Sequence, residues 1–264
     1  MANHREIAGA EASYAQPKIN TIGIADLKDA VAAGLADFKA MPTHLIFLCF
    51  IYPIVTLVFA RIHAGYDVLP LIFPLLAGYT LIGPLVAVGM YELSRRREQG
   101  LDTSRIHAFA VLRYPSLGSI AILGVVLMVI YFIWLTVAQE IYGQTIGDAV
   151  PESIAAFASQ VLTTPAGQIL IVLGSGAGFI FAVVVFAFSV VSFPMLLDRD
   201  VGVMTAVQTS IRAVAANPTI MAVWGVFIAG ALFLGSLPFF VGLAVIMPVL
   251  GHATWHLYRK VVAQ

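Results

Sequence analysis

The stretch of this sequence most suggestive of chemistry is GHATWHLYRK, residues 251–260. His252 and His256 are four residues apart, so both side chains lie on one face of a helix, as in some metal sites. The sequence leaves two other interpretations open. The histidines hydrogen-bond to neighbouring helix ends at a membrane interface, or they form a polar cluster with Glu92 or Asp198 that positions a partner or a lipid headgroup. No cysteine lies nearby to complete a ligand set, so we predict no metal and no cofactor.

Other ionisable residues collect after apolar runs, at positions where helix ends would meet. Together with the histidines they form one predicted polar cluster, which consists of Glu92, Arg95, Arg96, Asp198, Arg199, Asp200, His252 and His256. For Asp200 itself we favour a role as the N-cap of a helix that begins near Val201. The run from Arg95 to Arg97 is also typical of a topology anchor that attracts anionic lipid. No motif for a nucleophile, a nucleotide phosphate or nucleic acid is present, so we predict no catalytic residues.

The elements that hold these residues are apolar helices. The chain has 264 residues, of which 60% are apolar and 11% charged, whereas soluble domains have about 25% charged residues. Six runs are long enough to cross a bilayer, and they are Thr43–Ala60, Val68–Tyr91, Ser116–Ala138, Gln168–Leu196, Thr219–Leu237 and Phe239–Trp255. Proline disfavours helix at the preceding residue, so Leu237 and Pro238 predict a tight hairpin between the last two spans. The fold class is therefore an all-α membrane protein with six transmembrane helices.

The basic residues predict the orientation. In a six-span topology, 13 of the 14 Lys and Arg residues fall on one side of the membrane and only Arg61 on the other, which by the positive-inside rule places both termini in the cytoplasm. The middles of the spans contain no ionisable residue, which argues against a proton-relay mechanism. Residues 1–23 are polar and alanine-rich and predict a disordered cytoplasmic tail before a single membrane domain, residues 24–264.

An internal repeat is visible within that domain. Ala30–Thr43 and Ala206–Thr219 share five of 14 residues without a gap, and Phe73–Arg96 also matches Leu237–Lys260, with Pro84 opposite Pro248. A weaker third copy includes Pro115. The matches predict three units, about 24–100, 101–199 and 200–264, each with a short amphipathic helix and a transmembrane hairpin that point in the same direction.

The short helices have two interpretations. In the first of them, an apolar face is formed by Ile24, Leu27, Val31, Leu35 and Phe38. An ordinary connecting helix is possible, but we favour a cytoplasmic interfacial helix, because an apolar face beside a bilayer can enter the headgroup layer. Gly174 and Gly178 form a small-residue face on the fourth span, which indicates close packing within the monomer or, alternatively, a homo-oligomer.

Three motifs give the chain a family resemblance: GPLVAVGMYELSRRREQG, SFPMLLDRDVG and MPVLGHATWHLYRK. With the length and the six-span plan, they resemble the bacterial integral-membrane family catalogued as domain of unknown function 2189, over about Leu27 to Val261. The resemblance implies a multi-pass protein of the bacterial inner membrane. It implies no activity and no catalytic residues, and Trp255 joins the predicted cluster residues inside the motifs.

These observations favour a non-enzymatic accessory or structural membrane component. The expected partners are the lipid bilayer and a membrane protein or a second copy of the chain, but not nucleic acid. One alternative is a small transporter or channel, which the parallel repeats favour. The other is a membrane enzyme that acts at the cytoplasmic face through the histidine and carboxylate cluster. A polar cavity along the repeat axis would favour transport, and a packed axis would favour the accessory role.

Overall fold

A computed structural model describes residues 17–43, 61, 65–147, 150–238 and 240–263. The chain is helical in these ranges, where the only β-type pairing is an isolated bridge between Ile19 and Val262. The predicted first span, Thr43–Ala60, lies outside the described residues apart from Thr43.

The described residues form helices of very different lengths. In chain order they are α1 (Ile24–Ala40), α2 (Ile72–Glu98), α3 (Leu117–Thr145), α4 (Ile154–Thr163), α5 (Pro165–Ser189), α6 (Ser192–Asp198), α7 (Val203–Ala216), α8 (Pro218–Ser236) and α9 (Leu243–Val261). Two 3₁₀ segments, Tyr66–Leu71 and Arg105–Arg113, precede α2 and α3 respectively.

Three helical stretches in the described ranges are long and apolar enough to cross a membrane: Leu117–Thr145, Pro165–Asp198 and Pro218–Ser236. They correspond to the predicted third, fourth and fifth spans. In the most apolar part of Pro165–Asp198 only 6% of the residues are buried. A helix that is apolar on nearly every side and packs so little against its own chain is suited to a lipid environment.

The predicted second and sixth spans also coincide with helices, although their boundaries differ from those expected. Helix α2 begins at Ile72 and continues to Glu98, through the arginine run. Helix α9 begins at Leu243 and continues to Val261, so its last turns are polar. Both helices therefore carry their polar ends beyond the predicted apolar runs.

The hairpin between α8 and α9 is confirmed at the predicted position. Helix α8 ends at Ser236, just before Leu237 and Pro238, and α9 begins at Leu243. The two helices approach closely where Gly242 faces Gly235, because a Cβ atom on Gly242 would lie 2.8 Å from the Gly235 backbone. A side chain at Gly242 would therefore push against backbone and force the helices apart.

Helix α1 packs chiefly against α9, and of the predicted apolar face only Leu27 is fully buried. Its buried residues are Leu27, Ala30, Gly34 and Asp37, which lie about a quarter of a turn away from the centre of that face. Ile24 and Leu35, which belong to the predicted face, remain 46% and 40% exposed. Small residues pack against the protein instead, because they let the two backbones come close together.

Residues 17–23, which we included in the predicted disordered tail, are ordered against the other end of the chain. Ile19 pairs with Val262, and the Asn20 N–H donates to the Val261 carbonyl at 2.8 Å. The buried Asn217 side chain holds this segment from the other side. It accepts a hydrogen bond from the Ile22 N–H at 2.9 Å and donates to the Asn20 carbonyl at 3.0 Å. Paired backbone groups and a buried Ile22 account for the order.

The three short elements of the predicted repeat each pack against a helix from a different predicted unit. Helix α1 of the first unit contacts α9 of the third, and Arg105–Arg113 of the second unit contacts α2 of the first. Helix α7 of the third unit contacts α5 and α6 of the second. The contacts therefore run in a cycle around the molecule, at the end where α2, α6 and α9 also finish.

Candidate functional site

Both histidines of the opening motif are held in hydrogen bonds at this end of the molecule. His252 is fully buried, and its Nδ1 atom lies 2.7 Å from the Ser94 hydroxyl. His256 lies one turn later on α9, with Nε2 2.8 Å from Asp37 Oδ2. The spacing of four residues does place both rings on one face, and that face meets α1 and α2.

Asp37 is the centre of this arrangement, which we call the Asp37 cluster: Asp37, Ser94, Arg97, His252 and His256. Ser94 donates to Asp37 Oδ2 at 2.6 Å, while the Arg97 guanidinium forms an ion pair with Oδ1. Burial acts to raise the pKa of Asp37, but hydrogen bonds from His256, Ser94 and Arg97 outweigh it and lower the pKa below its usual value. Asp37 is therefore a buried, ionised carboxylate.

Helix geometry explains why these side chains meet. Asp37 follows Gly34 by one turn on α1, and a Cβ atom on Gly34 would lie 2.5 Å from the Ala253 backbone nitrogen. This close approach brings a short aspartate side chain within reach of α9. Ser94 and Arg97 are three residues apart near the end of α2, so they too share a face.

A second cluster surrounds Glu92, and we call it the Glu92 cluster: Glu92, Arg95, Arg96 and Tyr114. The Glu92 carboxylate is fully buried and accepts from Arg95 Nε at 2.9 Å and from the Tyr114 hydroxyl at 2.6 Å. Arg96 lies 3.6 Å from the same carboxylate, and Arg95 also donates to Tyr114 at 2.7 Å. Burial lowers the pKa of Arg95, but the hydrogen bond and charge of Glu92 reverse this effect and raise it overall.

A third cluster, the Asp198 cluster, contains Asp198, Arg199, Glu98, Tyr258 and Arg259. Asp198 accepts from the Tyr258 hydroxyl at 2.7 Å and from Arg259 at 3.3 Å. Arg259 also pairs with Glu98 at 2.8 Å, so it bridges two carboxylates. Burial and the hydrogen bond to Asp198 both raise the pKa of Tyr258. Arg199 donates to the Ala263 carbonyl at 2.6 Å.

The predicted site residues are thus divided among three neighbouring clusters. The carboxylate that contacts the histidines is Asp37, in the place that we expected for Glu92 or Asp198. Asp200 is exposed and belongs to none of the three clusters, and it does not cap a helix at Val201, because α7 begins at Val203 with Gly202 as its N-cap.

Asp37, Ser94, Glu98 and Tyr114 are site residues that the sequence alone did not single out, and Arg97 was noted only as part of the arginine run. For Asp37 a signal was present in the run AVAAGLAD, residues 30–37. Its small residues recur at helical spacing and indicate a helix that packs closely on another. Asp37 continues that small-residue face, which places it at the contact rather than in solvent.

The chemistry available to these groups is constrained by their contacts. Ser94 lies between a carboxylate and a histidine, but it is only 1% exposed, so a substrate could not reach its oxygen without rearrangement. Across the described ranges, no three His, Cys, Asp or Glu side chains are grouped in a way that would hold a metal ion. The Arg95–Arg97 run, which is typical of a lipid-attracting anchor, is engaged in ion pairs with Glu92 and Asp37.

Comparison with known proteins bears on the family. No curated protein and no solved structure matches the chain. Residues 72–198 match the model of a family described as predicted integral membrane protein, domain of unknown function 2189. This range contains the first motif of the resemblance and most of the second, while the histidine motif at 247–260 lies beyond it. The match, together with the apolar helices, supports the assignment of the chain as a membrane protein, with residues 72–198 similar to that family.

Proposed function

We propose that this protein is a non-enzymatic structural or accessory component of the bacterial inner membrane, with six spans and cytoplasmic termini. The observation that carries the proposal is the use of ionisable residues as cross-links between distant parts of the chain. His256 and Asp37 are 219 residues apart, and Arg259 and Asp198 are 61 residues apart. Carboxylates that are occupied by internal donors fix a scaffold rather than await a substrate.

The burial pattern of α1 and α7 supports the proposed repeat. Under the alignment of Ala30 with Ala206, four pairs of aligned residues are buried in both copies. The pairs buried in both copies are Ala30 and Ala206, Gly34 and Ser210, Asp37 and Ala213, and Met41 and Asn217. Leu35 and its counterpart Ile211 are each 40% exposed. Two helices from different parts of the chain therefore present the same face to the protein.

Helices α2 and α9 support the repeat in the same way. Under the alignment of Pro84 with Pro248, six positions are buried in both helices, namely 87, 88, 90, 91, 93 and 94 in α2 and 251, 252, 254, 255, 257 and 258 in α9. The cyclic contacts of the three short elements fit units related by an axis along the membrane normal, because each unit then meets its neighbour in the same way.

Exposed apolar side chains support an interfacial position for the short elements. Ile106, Phe109 and Leu112 are 70%, 49% and 64% exposed. They recur every third residue in a 3₁₀ helix of about three residues per turn, so they form one apolar stripe. Ile24 and Leu35 on α1 and Met204 and Ile211 on α7 add exposed apolar groups. A headgroup layer at the cytoplasmic face would cover such groups.

Purification from native membranes tests the accessory role. The full-length chain, tagged and expressed at its natural level, would be extracted in copolymer nanodiscs without detergent and separated by size. We expect it to elute with the same membrane protein at a fixed stoichiometry in independent preparations, whereas a tagged membrane protein of similar size and abundance does not. Elution as single chains would contradict the proposal.

A small transporter or channel is the second candidate, because the matched burial pattern favours parallel repeats and many transporters are built from such repeats. Reconstitution distinguishes the two candidates. Proteoliposomes that contain the protein would show a solute or ion flux above that of protein-free vesicles if it transports, and no added flux if it is an accessory component.

A further inference from the structure

We propose that the 3₁₀ segment Arg105–Arg113 binds anionic phospholipid headgroups of the cytoplasmic leaflet, through an arginine at each of its ends. The inference rests on the interfacial position proposed above and adds the class of lipid that the segment selects. The geometry that carries it is the exposed apolar stripe of Ile106, Phe109 and Leu112, with one exposed arginine directly before it and another directly after it.

The stripe has a fixed direction, because another side of the segment packs on α2. Ala108 and Val111 are buried, and a Cβ atom on Gly89 of α2 would lie 3.0 Å from the Ala108 carbonyl oxygen. A 3₁₀ helix has about three residues per turn, so Phe109 and Leu112, one position later, lie on a different side from this buried row. The stripe therefore points away from α2.

Both ends of the segment are tied to the arginine run of α2. Arg96 donates to the Asp102 carbonyl at 2.6 Å just before the segment, and Arg95 donates to the Tyr114 hydroxyl at 2.7 Å just after it. The charges of Arg95 and Arg96 are also paired with the buried Glu92. These two arginines therefore position the segment, and their charges are neutralised inside the protein.

The two arginines of the segment, in contrast, can pair with an anion from outside the protein. Neither Arg105 nor Arg113 has a hydrogen bond or an ion pair within the described part of the chain. Asp102, the acidic residue nearest to them in sequence, accepts from the Ser104 N–H at 3.0 Å and lies 2.8 Å from His107. A guanidinium matches a phosphate with two parallel hydrogen bonds, and two unpaired positive charges favour lipids of net negative charge.

Helix α3 places the segment at the depth of the headgroups. Residues 117–138 of α3 contain no charged side chain and extend over about 33 Å, close to the thickness of the hydrocarbon core. Only Tyr114, Pro115 and Ser116 separate this apolar stretch from the segment. The stripe therefore lies where acyl chains meet headgroups, and the arginine side chains reach the phosphates.

Site-specific quenching in nanodiscs tests the lipid preference. The full chain carries Cys49→Ser and Phe109→Cys, with a small apolar fluorophore on the introduced thiol. Lipids with a quencher high on the acyl chain are supplied either as phosphatidylglycerol or as phosphatidylcholine. We expect both lipids to quench, with an apparent affinity for phosphatidylglycerol that is higher by about fivefold for each arginine.

Two sets of variants serve as controls. Arg105→Gln and Arg113→Gln remove the charges without removing an internal contact, so each should lower the preference about fivefold, and the double variant should bind both lipids equally. A label at Val172→Cys reports on general contact with lipid, because Val172 is 70% exposed on α5, a helix without basic residues. It should show no preference. High salt should weaken the preference at Phe109→Cys alone.

The quenching pattern distinguishes failure of this inference from failure of the interfacial position. Equal quenching by the two lipids at Phe109→Cys would overturn the lipid preference and leave the interfacial position intact. A preference that persists in the double arginine variant would also overturn it, because other groups would then select the lipid. Absence of quenching by either lipid would refute the interfacial position itself and indicate that protein covers the stripe.

Discussion

At the scale of single residues, Asp37 is a buried carboxylate that connects three helices. Its two oxygens accept from Ser94, His256 and Arg97, which lie on two other helices. Loss of a buried, fully paired carboxylate strongly destabilises a protein, because the charged and polar groups that it contacted are then left buried without a partner.

The first prediction is therefore a large effect of Asp37→Asn. We expect the free energy of unfolding to fall by about 3 kcal/mol, as for other broken buried ion pairs. Asp29→Asn on the same helix is the matched control. Asp29 is exposed and pairs with Lys260 at 3.1 Å, so its loss should cost less than about 1 kcal/mol. Thermal unfolding in detergent measures both, and equal effects would contradict this account of Asp37.

The lowered pKa of Asp37 predicts the direction of the acid response. Its ionised form adds stability that is complete above the ordinary aspartate pKa of about 3.9 and is lost as the pH falls through the lower folded pKa. Unfolding temperatures of the wild type should thus fall more steeply between about pH 5 and pH 3 than those of Asp37→Asn. Parallel curves would show that Asp37 does not contribute to this dependence.

The sequence was sufficient to predict the common face of the two histidines but not the carboxylate that contacts them. The four-residue spacing of His252 and His256 fixed their common face, because helix geometry alone determines it. Their partner could not be deduced, since Asp37 is more than 200 residues away and only tertiary packing brings it to α9. Glu92, which we expected to contact the histidines, instead forms ion pairs with the neighbouring Arg95 and Arg96.

At the scale of elements, the closest backbone approach predicts the most sensitive glycine. In Gly34→Ala the new Cβ atom would overlap the Ala253 backbone, which cannot move without shifting α9. We expect a loss of about 1–3 kcal/mol, typical of overpacking. Gly230→Ala is the control, because this glycine is also helical but has nothing within 4 Å of the position that a new methyl group would take. It should be neutral or slightly stabilising, and similar losses in both variants would refute the explanation.

Asn217 predicts a local effect at the segment that it holds. Asn217→Ala removes the acceptor for the Ile22 N–H and the donor to the Asn20 carbonyl, and should cost about 1–3 kcal/mol. Hydrogen exchange should accelerate at Ile22, and trypsin should cleave faster after Lys18. Cleavage after the exposed Arg105 serves as the internal reference. If cleavage after Lys18 did not accelerate relative to cleavage after Arg105, the Asn217 side chain would not be what holds residues 17–23 in place.

Element positions were more predictable than element faces. The break before α9 followed from Pro238, because proline chemistry acts locally. The packed face of α1 did not follow from its apolar stripe, because close packing on α9 selects small residues and leaves Ile24 and Leu35 outside. A hydrophobic pattern identifies an apolar face but not which neighbour, protein or lipid, will cover it.

At the scale of the whole molecule, the charge asymmetry predicts the outcome of a labelling experiment. In a Cys49→Ser background, cysteine introduced at the exposed Gln144 should react with an impermeant thiol reagent from the periplasm, and cysteine at the exposed Gln99 should not. Both should react after membranes are permeabilised. The reverse pattern would refute the orientation.

Membrane class and helical architecture were predictable from composition and run length, since a bilayer demands long apolar helices. The number of spans stays a prediction, because three of the six runs meet the length and hydropathy requirements in the described ranges. Helices α2 and α9 combine apolar turns with polar ends. Hydropathy alone is therefore a weaker indication that they cross the membrane than it is for α3.

The dependence of α1 on α9 has a consequence for synthesis. The ribosome completes α9 more than 200 residues after α1, a delay on the order of 10–40 s at ordinary elongation rates. During that interval Gly34 and Asp37 lack α9, the helix that they contact. The apolar face of α1 can meanwhile contact the bilayer. Docking of α1 onto α9 would therefore follow the synthesis of α9, after the helices between them have already been made.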